Sequence, residues 1–460
     1  MEKKKRIFYR AAVCSLLMVY AVFLLTVYSY TEALVPDEQW FWGMAENEIQ
    51  WSSWEDVLKT PNYLGYGSIY WILLKAVGDF SGMRFLCAVF MIVSACLVPY
   101  TVRSFHQASD RQVFFSVVIY LSCPLVWFTG KVIGPEITGY ALGIIGCCMG
   151  LLGYRKDKRR IYVLSLFLLG ISAGVKLNDI VLAVFLLVYI SLDRIGRAGQ
   201  WKQLFSRQNL ILLTGSGGGI LGGIIIANPV MLYDWGSFQS RFELGAYSLQ
   251  NLQKVLSERR IEWDLVNAGG MNQTIISMTA LLMIFMLSLW YLQDRKLIIA
   301  GIVSILLLIT LCCKDRFLGW YLMPMIYIVA VCVPDTNKMT VVALLHFSMM
   351  FMGIRYQITS KLDQIHMIKH RNVIETRMQE WERMYPGYEE YCFIETCVER
   401  LPMFPIYNYQ KDISGKQVIF ISHRARANAQ IEQIYQQALQ QIDGYELVEA
   451  DEFMTIVVRE

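Results

Sequence analysis

Charge is what this chain has least of. Asp, Glu, Lys and Arg make up 17% of its 460 residues against 55% hydrophobic ones, a balance that excludes an ordinary globular protein. Histidine is scarce, five in all, and no His or Asp cluster demands a metal. Cysteines such as Cys14, Cys87, Cys96 and Cys123 fall inside apolar runs without metal or disulfide spacing, so they read as core filler. Cys392 and Cys397 are the one pair placed to bridge, and an i, i+5 separation on one helix disfavours it. The chain has no repeat, no low-complexity tract and no glycine-rich phosphate loop, and nothing in it implies a nucleic-acid partner.

What remains is a series of apolar runs of roughly 17–20 residues, separated by short charged punctuation: the pattern of a polytopic helical membrane protein. The net charge of +4 matters less than where the basic residues fall. Glu2-Lys3-Lys4-Lys5-Arg6 precedes an apolar stretch at about 11–30, long enough to be an uncleaved first span with a cytoplasmic N-terminus. Residues 31–81 then form an external loop rich in tryptophan (Trp40, Trp42, Trp51, Trp54, Trp71), with an interfacial helix over Tyr63–Lys75. Further spans are predicted at about 85–102, 113–128, 137–153, 161–175 and 180–192, then a glycine-rich one through Gly215-Ser216-Gly217-Gly218-Gly219. Such runs permit close helix approach.

The strongest basic cluster, Arg155 to Arg160, falls on the cytoplasmic side in this topology, as do Arg194, Arg197, Lys202 and Arg207. Residues 228–272 form a second external loop, and spans at about 274–292, 297–313, 317–333 and 340–356 complete a set of about eleven. The expected fold is thus an all-α polytopic membrane domain over 1–357, followed by an extracytoplasmic α/β domain over 358–460. In that tail, 358–384 and 425–441 read as helical. Lys416–Ser422 reads as a buried strand and Tyr445–Val458 as two more.

Five features share the external face. Asp37-Glu38 follows the first span at once. A carboxylate near hydrocarbon marks a function by default, although a cap on a short helix after Pro36 accounts for Asp37 equally well. Glu136, in Gly134-Pro135-Glu136-Ile137, opens a helix whose N-terminus favours negative charge anyway. Lys176 and Asp179 occupy the turn between two short spans, the kind of place where intramembrane binding sites form; a local ion pair is the simpler reading. Asn228-Pro229 can simply stop a helix. Lys314 and Arg316 precede Tyr321-Leu322-Met323-Pro324, and either alone can snorkel to headgroups. One topology puts all five on one face, joining carboxylates able to act as a base with cations able to hold a phosphate. Glycosyl transfer from a lipid phosphate requires those roles.

The order of these motifs over residues 1–356 resembles the GT-C superfamily of polyprenyl-phosphate-sugar-dependent glycosyltransferases. The nearest groups are the bacterial relatives of protein O-mannosyltransferases and the lipid A aminoarabinose transferases. The chain departs from the family pattern in lacking a Pro-Pro start to its interfacial helix. The resemblance implies Asp37 as catalytic base, with Glu38 and Glu136 assisting the acceptor or a divalent cation. It implies Lys176, Arg316 and Lys314 as ligands of the lipid phosphate, and inversion at the anomeric carbon. The implied partners are membrane lipid, a polyprenyl-phosphate-sugar donor and a glycan, lipid or protein acceptor in the cell envelope, the sugar being a hexose or pentose. A transporter or flippase of lipid-linked saccharides is the alternative. It needs charged groups near mid-membrane and a path open to both sides, and the inner halves of these spans are nearly free of charge.

Overall fold

The computed structural model describes residues 2–27, 68–78, 80–105, 108–123, 126–127, 133–198, 207–232, 294–311 and 323–336, with short helical pieces and strands elsewhere. The chain forms two compact units, one drawn chiefly from residues up to Gln357 and the other chiefly from Ile358–Glu460.

The first unit is helical. It contains α1 (Glu2–Val27), α2 (Ser68–Val77), α3 (Phe80–Phe105), α4 (Asp110–Ser122), α5 (Pro135–Arg155), α6 (Arg159–Val175), α7 (Ile180–Ala198), α8 (Arg207–Ala227), α9 (Arg295–Leu311) and α10 (Met323–Val331). Among the described residues, three segments are long and apolar enough to cross a membrane: Lys3–Thr26, Gly82–Phe105 and Pro135–Arg155. The last is 72% buried and the first 17%, so α5 is the hub and α1 lies at the periphery. The helix expected within the first external loop is present as α2, only ten residues long. Gly78 at φ 75° follows it, donating its N–H to Leu74 O. A left-handed residue closes a helix, and glycine takes that conformation without a Cβ penalty. Ten residues rise about 15 Å, too little to span.

Glycine decides what packs on α5. Gly139, Gly143, Gly146, Gly150 and Gly153 recur at spacings of four and three, which puts them on one helical face. A Cβ at Gly143 would stand 2.7 Å from Ser172 Oγ, and one at Gly153 only 2.6 Å from Tyr162 N. The α6 backbone therefore lies directly against this stripe, held by dispersion and shape fit where no hydrophobic force distinguishes protein from lipid. On its other side α6 meets the glycine-rich α8. A Cβ on Gly170 would come within 2.8 Å of Gly223 Cα, and the converse holds. The close approach expected of this helix is made by Gly219, Gly222 and Gly223. Gly215, Gly217 and Gly218 face no atom within 4 Å among the described residues.

Several buried hydroxyls find partners across helices, which spares the cost of burying them unpaired. Tyr140 donates to Tyr120 OH at 3.0 Å, Tyr327 to Thr101 Oγ1 at 2.9 Å, and Tyr20 to the carbonyl of Val126 at 3.1 Å.

Two helices differ from their predicted extents because of proline. The span expected over 113–128 ends at Ser122; Cys123, the residue before Pro124, is extended at φ −75°, ψ 118°, since proline disfavours helix in its predecessor. The span expected over 317–333 begins only at Met323. Pro324 lacks an N–H and fits a helix only in its first turn. Upstream of it, Phe317–Leu318 (β2) instead pairs in parallel with Ile261–Glu262 (β1). The spans expected at 274–292 and 340–356 are described only in short pieces.

The second unit contains a four-stranded sheet ordered β3 (Tyr391–Glu395), β4 (Val418–Ser422), β6 (Met454–Arg459), β5 (Tyr445–Ala450). β4 and β6 are internal, the first pair parallel and the other two antiparallel. Expected strands occupy β4, β5 and β6, whereas β3 was not anticipated. The helices expected over 358–384 and 425–441 lie outside the described residues, isolated positions apart.

Candidate active site

Ion pairs and hydrogen bonds show which helix ends share a level. At one end Asp110, at the start of α4, accepts from Arg10 near the start of α1 and from Arg103 near the end of α3. Arg111 pairs with Asp335 beyond α10, Arg155 at the end of α5 donates to Phe105 O, and Lys296 at the start of α9 pairs with Asp193 late in α7. The opposite end gathers the start of α5, the end of α6, the start of α7 and the end of α8.

There the candidate site is built. Glu136 is the second residue of α5, after Gly134 as cap and Pro135 in the first turn, where proline's missing N–H costs nothing. Lys176 closes α6 with an extended backbone, its N–H bound to Ser172 O at 2.9 Å. Each charge has the sign its helix end favours, so the macrodipole reading of Glu136 holds. It is not the whole account. Lys176 Nζ donates to Glu136 Oε1 at 2.7 Å, with Glu136 only 6% and Lys176 8% exposed. This charge pair bridges two helices through residues forty apart in sequence, a partner beyond the local turn that the sequence suggested for Lys176.

A short 3-10 turn, Leu177–Asp179, follows Lys176. Asp179 is 3% exposed. Its Oδ2 lies where a Cβ on Gly139 would run into it, so that glycine is the space the carboxylate occupies, one turn along α5 from Glu136. Glu136 Oε2 and Asp179 Oδ2 have no hydrogen-bond partner among the described residues. Buried carboxylate oxygens left open are costly, and native structures keep them chiefly where something else is to bind. From α8, Asn228 donates to Gly174 O at 3.0 Å and to Ile224 O at 3.1 Å, locking the end of α8 onto the Lys176 turn. It is a stop, as expected, and also a clamp.

Of the residues singled out in the sequence, the structure brings Glu136, Lys176 and Asp179 together. Asp37, Glu38, Lys314 and Arg316 lie outside the described residues, although the chain immediately after Arg316 is tied to the second loop through the Phe317–Ile261 register. Arg84 went unnoticed because its helix was expected to start at Phe85. It is buried in the second turn of α3, at this same end. A cation inside an apolar run was the signal. Among the described residues no three His, Cys, Asp or Glu side chains gather as metal ligands.

A helical membrane protein is thus defined, with a buried polar centre at the end of its helices away from the N-terminus. No family model matches the chain and no curated protein matches its sequence. Two solved structures share its fold. ArnT from Cupriavidus metallidurans in the apo state superposes with a TM-score of 0.53 at 11% identity, covering 97% of this chain and 98% of that one. ArnT from the same organism bound to undecaprenyl phosphate gives 0.51 at 12% identity, covering 97% of each. At such identities the likeness is one of fold, and it agrees with the resemblance to GT-C enzymes that the order of motifs carried.

Proposed function

We propose that the chain is an inverting glycosyltransferase that moves a sugar from a polyprenyl-phosphate-linked donor to an acceptor on the outer face of the membrane. The observation that carries this reading is the buried Lys176–Glu136 pair flanked by open carboxylate oxygens, set in a fold shared with a protein crystallised with undecaprenyl phosphate. The basic end of the helices is then cytoplasmic by the positive-inside rule, and the buried centre faces outward at membrane level. About eleven spans make up the catalytic domain over 1–357, and the C-terminal α/β domain over 358–460 is extracytoplasmic.

In this mechanism Asp37 removes the proton of the acceptor hydroxyl as its oxygen attacks the anomeric carbon. The bond from that carbon to the phosphate oxygen breaks, and its electron pair stays on the phosphate. Attack from the face opposite the leaving group inverts the centre. Lys176, Arg316 and Lys314 hold the phosphate as its charge grows. Glu136 positions Lys176 and, with Glu38, faces the acceptor. Charged groups at both helix ends and neutral hydroxyls between them suit an enzyme open on one side better than a flippase. Magnesium dependence of transfer decides whether Asp37, Glu38 and Glu136 share a divalent cation.

The experiment is transfer by the purified, reconstituted protein from a polyprenyl-phosphate sugar. Asp37→Asn is expected to fold normally and to lose about 10²–10⁴-fold in rate, the usual contribution of a general base. Near wild-type transfer by this variant removes Asp37 from the mechanism.

A further inference from the structure

The basic end of the helices forms an open cavity of about 840 Å³ that has no part in the proposed transfer. Its walls come from the first turns of α1, the end of α3 and the start of α4, and they carry five cations: Lys5, Arg6, Arg10, Arg103 and Arg111. Two carboxylates face them. Asp110 is shared by Arg10 and Arg103, and Asp335 takes Arg111 and the hydroxyl of Ser109. The cavity therefore keeps an excess of three positive charges. Lys5 and Arg6 make no ion pair among the described residues, and with Tyr9 and Arg10 they line the cavity at i, i+4 spacing, one face of α1.

The position of the cavity selects its occupant. Lys3–Thr26 is long and apolar enough to span a membrane. The cations of α1 cluster in its first turns, ahead of its apolar run, where a spanning helix meets the head groups. Ile7 and Phe8, in the same turns, are 59% and 65% exposed, offering apolar surface beside the charges. Cations beside exposed apolar side chains match a ligand with a phosphate at one end and acyl chains at the other. We infer that this cavity binds the head group of an anionic phospholipid of the leaflet on the N-terminal side. Basic pockets between helices hold such head groups through the same pairing of cation and phosphate.

The test uses the full-length protein in nanodiscs of phosphatidylcholine containing a minor fraction of cardiolipin, with retained lipid counted by native mass spectrometry. Wild type is expected to retain cardiolipin at least fivefold over the Lys5→Gln/Arg6→Gln variant, whose changed side chains form no ion pair among the described residues. Lys156→Gln/Lys158→Gln, equally basic positions outside the cavity, should retain it like wild type. Equal retention by the Lys5/Arg6 variant overturns the proposal. Equal loss from the Lys156/Lys158 variant overturns it too, by showing a general charge effect. Millimolar inorganic phosphate should not displace the lipid; displacement assigns the cavity to free phosphate and rejects the lipid. None of these readouts depends on transfer, so the inference stands or falls apart from the proposed activity.

Discussion

The two ends of the helical unit carry charge in opposite ways. At the N-terminal end, ion pairs are partly solvated and shared: Arg10 and Arg103 both reach Asp110, and the Arg10 side chain is 65% exposed. At the far end the Lys176–Glu136 pair is buried, beside carboxylate oxygens with no partner among the described residues. Exposed pairs contribute little because water and salt screen them. A buried pair costs desolvation of both charges and is a poor way to gain stability. The first arrangement is explained by membrane sidedness alone. The second asks for a function, and this is why the working site is assigned to the end where the described charges are buried.

The sharpest way to break the comparison is to remove one partner from each end. Lys176→Gln leaves Glu136 buried and unpaired and should cost about 3–5 kcal/mol, read as a large loss of thermal stability in detergent. Adding Glu136→Gln should restore most of it while the proposed transfer from a polyprenyl-phosphate donor stays impaired. If the single variant is as stable as wild type, the pair is more hydrated than its burial implies and the contrast collapses.

Filling the space at Gly139 is the next largest perturbation. Gly139→Ala drives a methyl into Asp179 and should cost about 1–3 kcal/mol. Gly215→Ala, on an open helix face, should instead gain about 0.5–1 kcal/mol from helix propensity. Equal shifts in the two melting curves would show that the α5 stripe does not set the site. The smallest effect belongs to the N-terminal end. Arg10→Gln should lower stability by no more than about 1 kcal/mol, with a difference from wild type that shrinks as salt rises.

Much of this was legible before any coordinates. The basic punctuation at Lys3–Arg6 and Arg155–Arg160, separated by apolar runs, set out the alternation of spans, and the ion pairs at the N-terminal end now join those same helix ends. Gly174-Val175-Lys176 and Pro135-Glu136 were recognisable as helix boundaries from residue chemistry. The stripe from Gly139 to Gly153 was equally visible, at spacings of four and three, yet it passed unread beside the more obvious run in α8. Strand β3 escaped because Tyr391–Glu395, with Cys392 and two glutamates nearby, has no clear alternation. Asp179 was visible beside Lys176 but drew no role of its own, because that role depends on what it lies against.

By itself the sequence determined where apolar helices fall and which of their ends carry the basic residues, since both follow from local apolar length and local charge. Only tertiary packing decided that Glu136 meets Lys176 across two helices, and that Asp179 turns onto the α5 backbone. Those outcomes depend on the rotation of α6 about its axis against α5. That angle is set by the fit of backbone into a glycine groove, a property of two helices together that neither segment encodes alone.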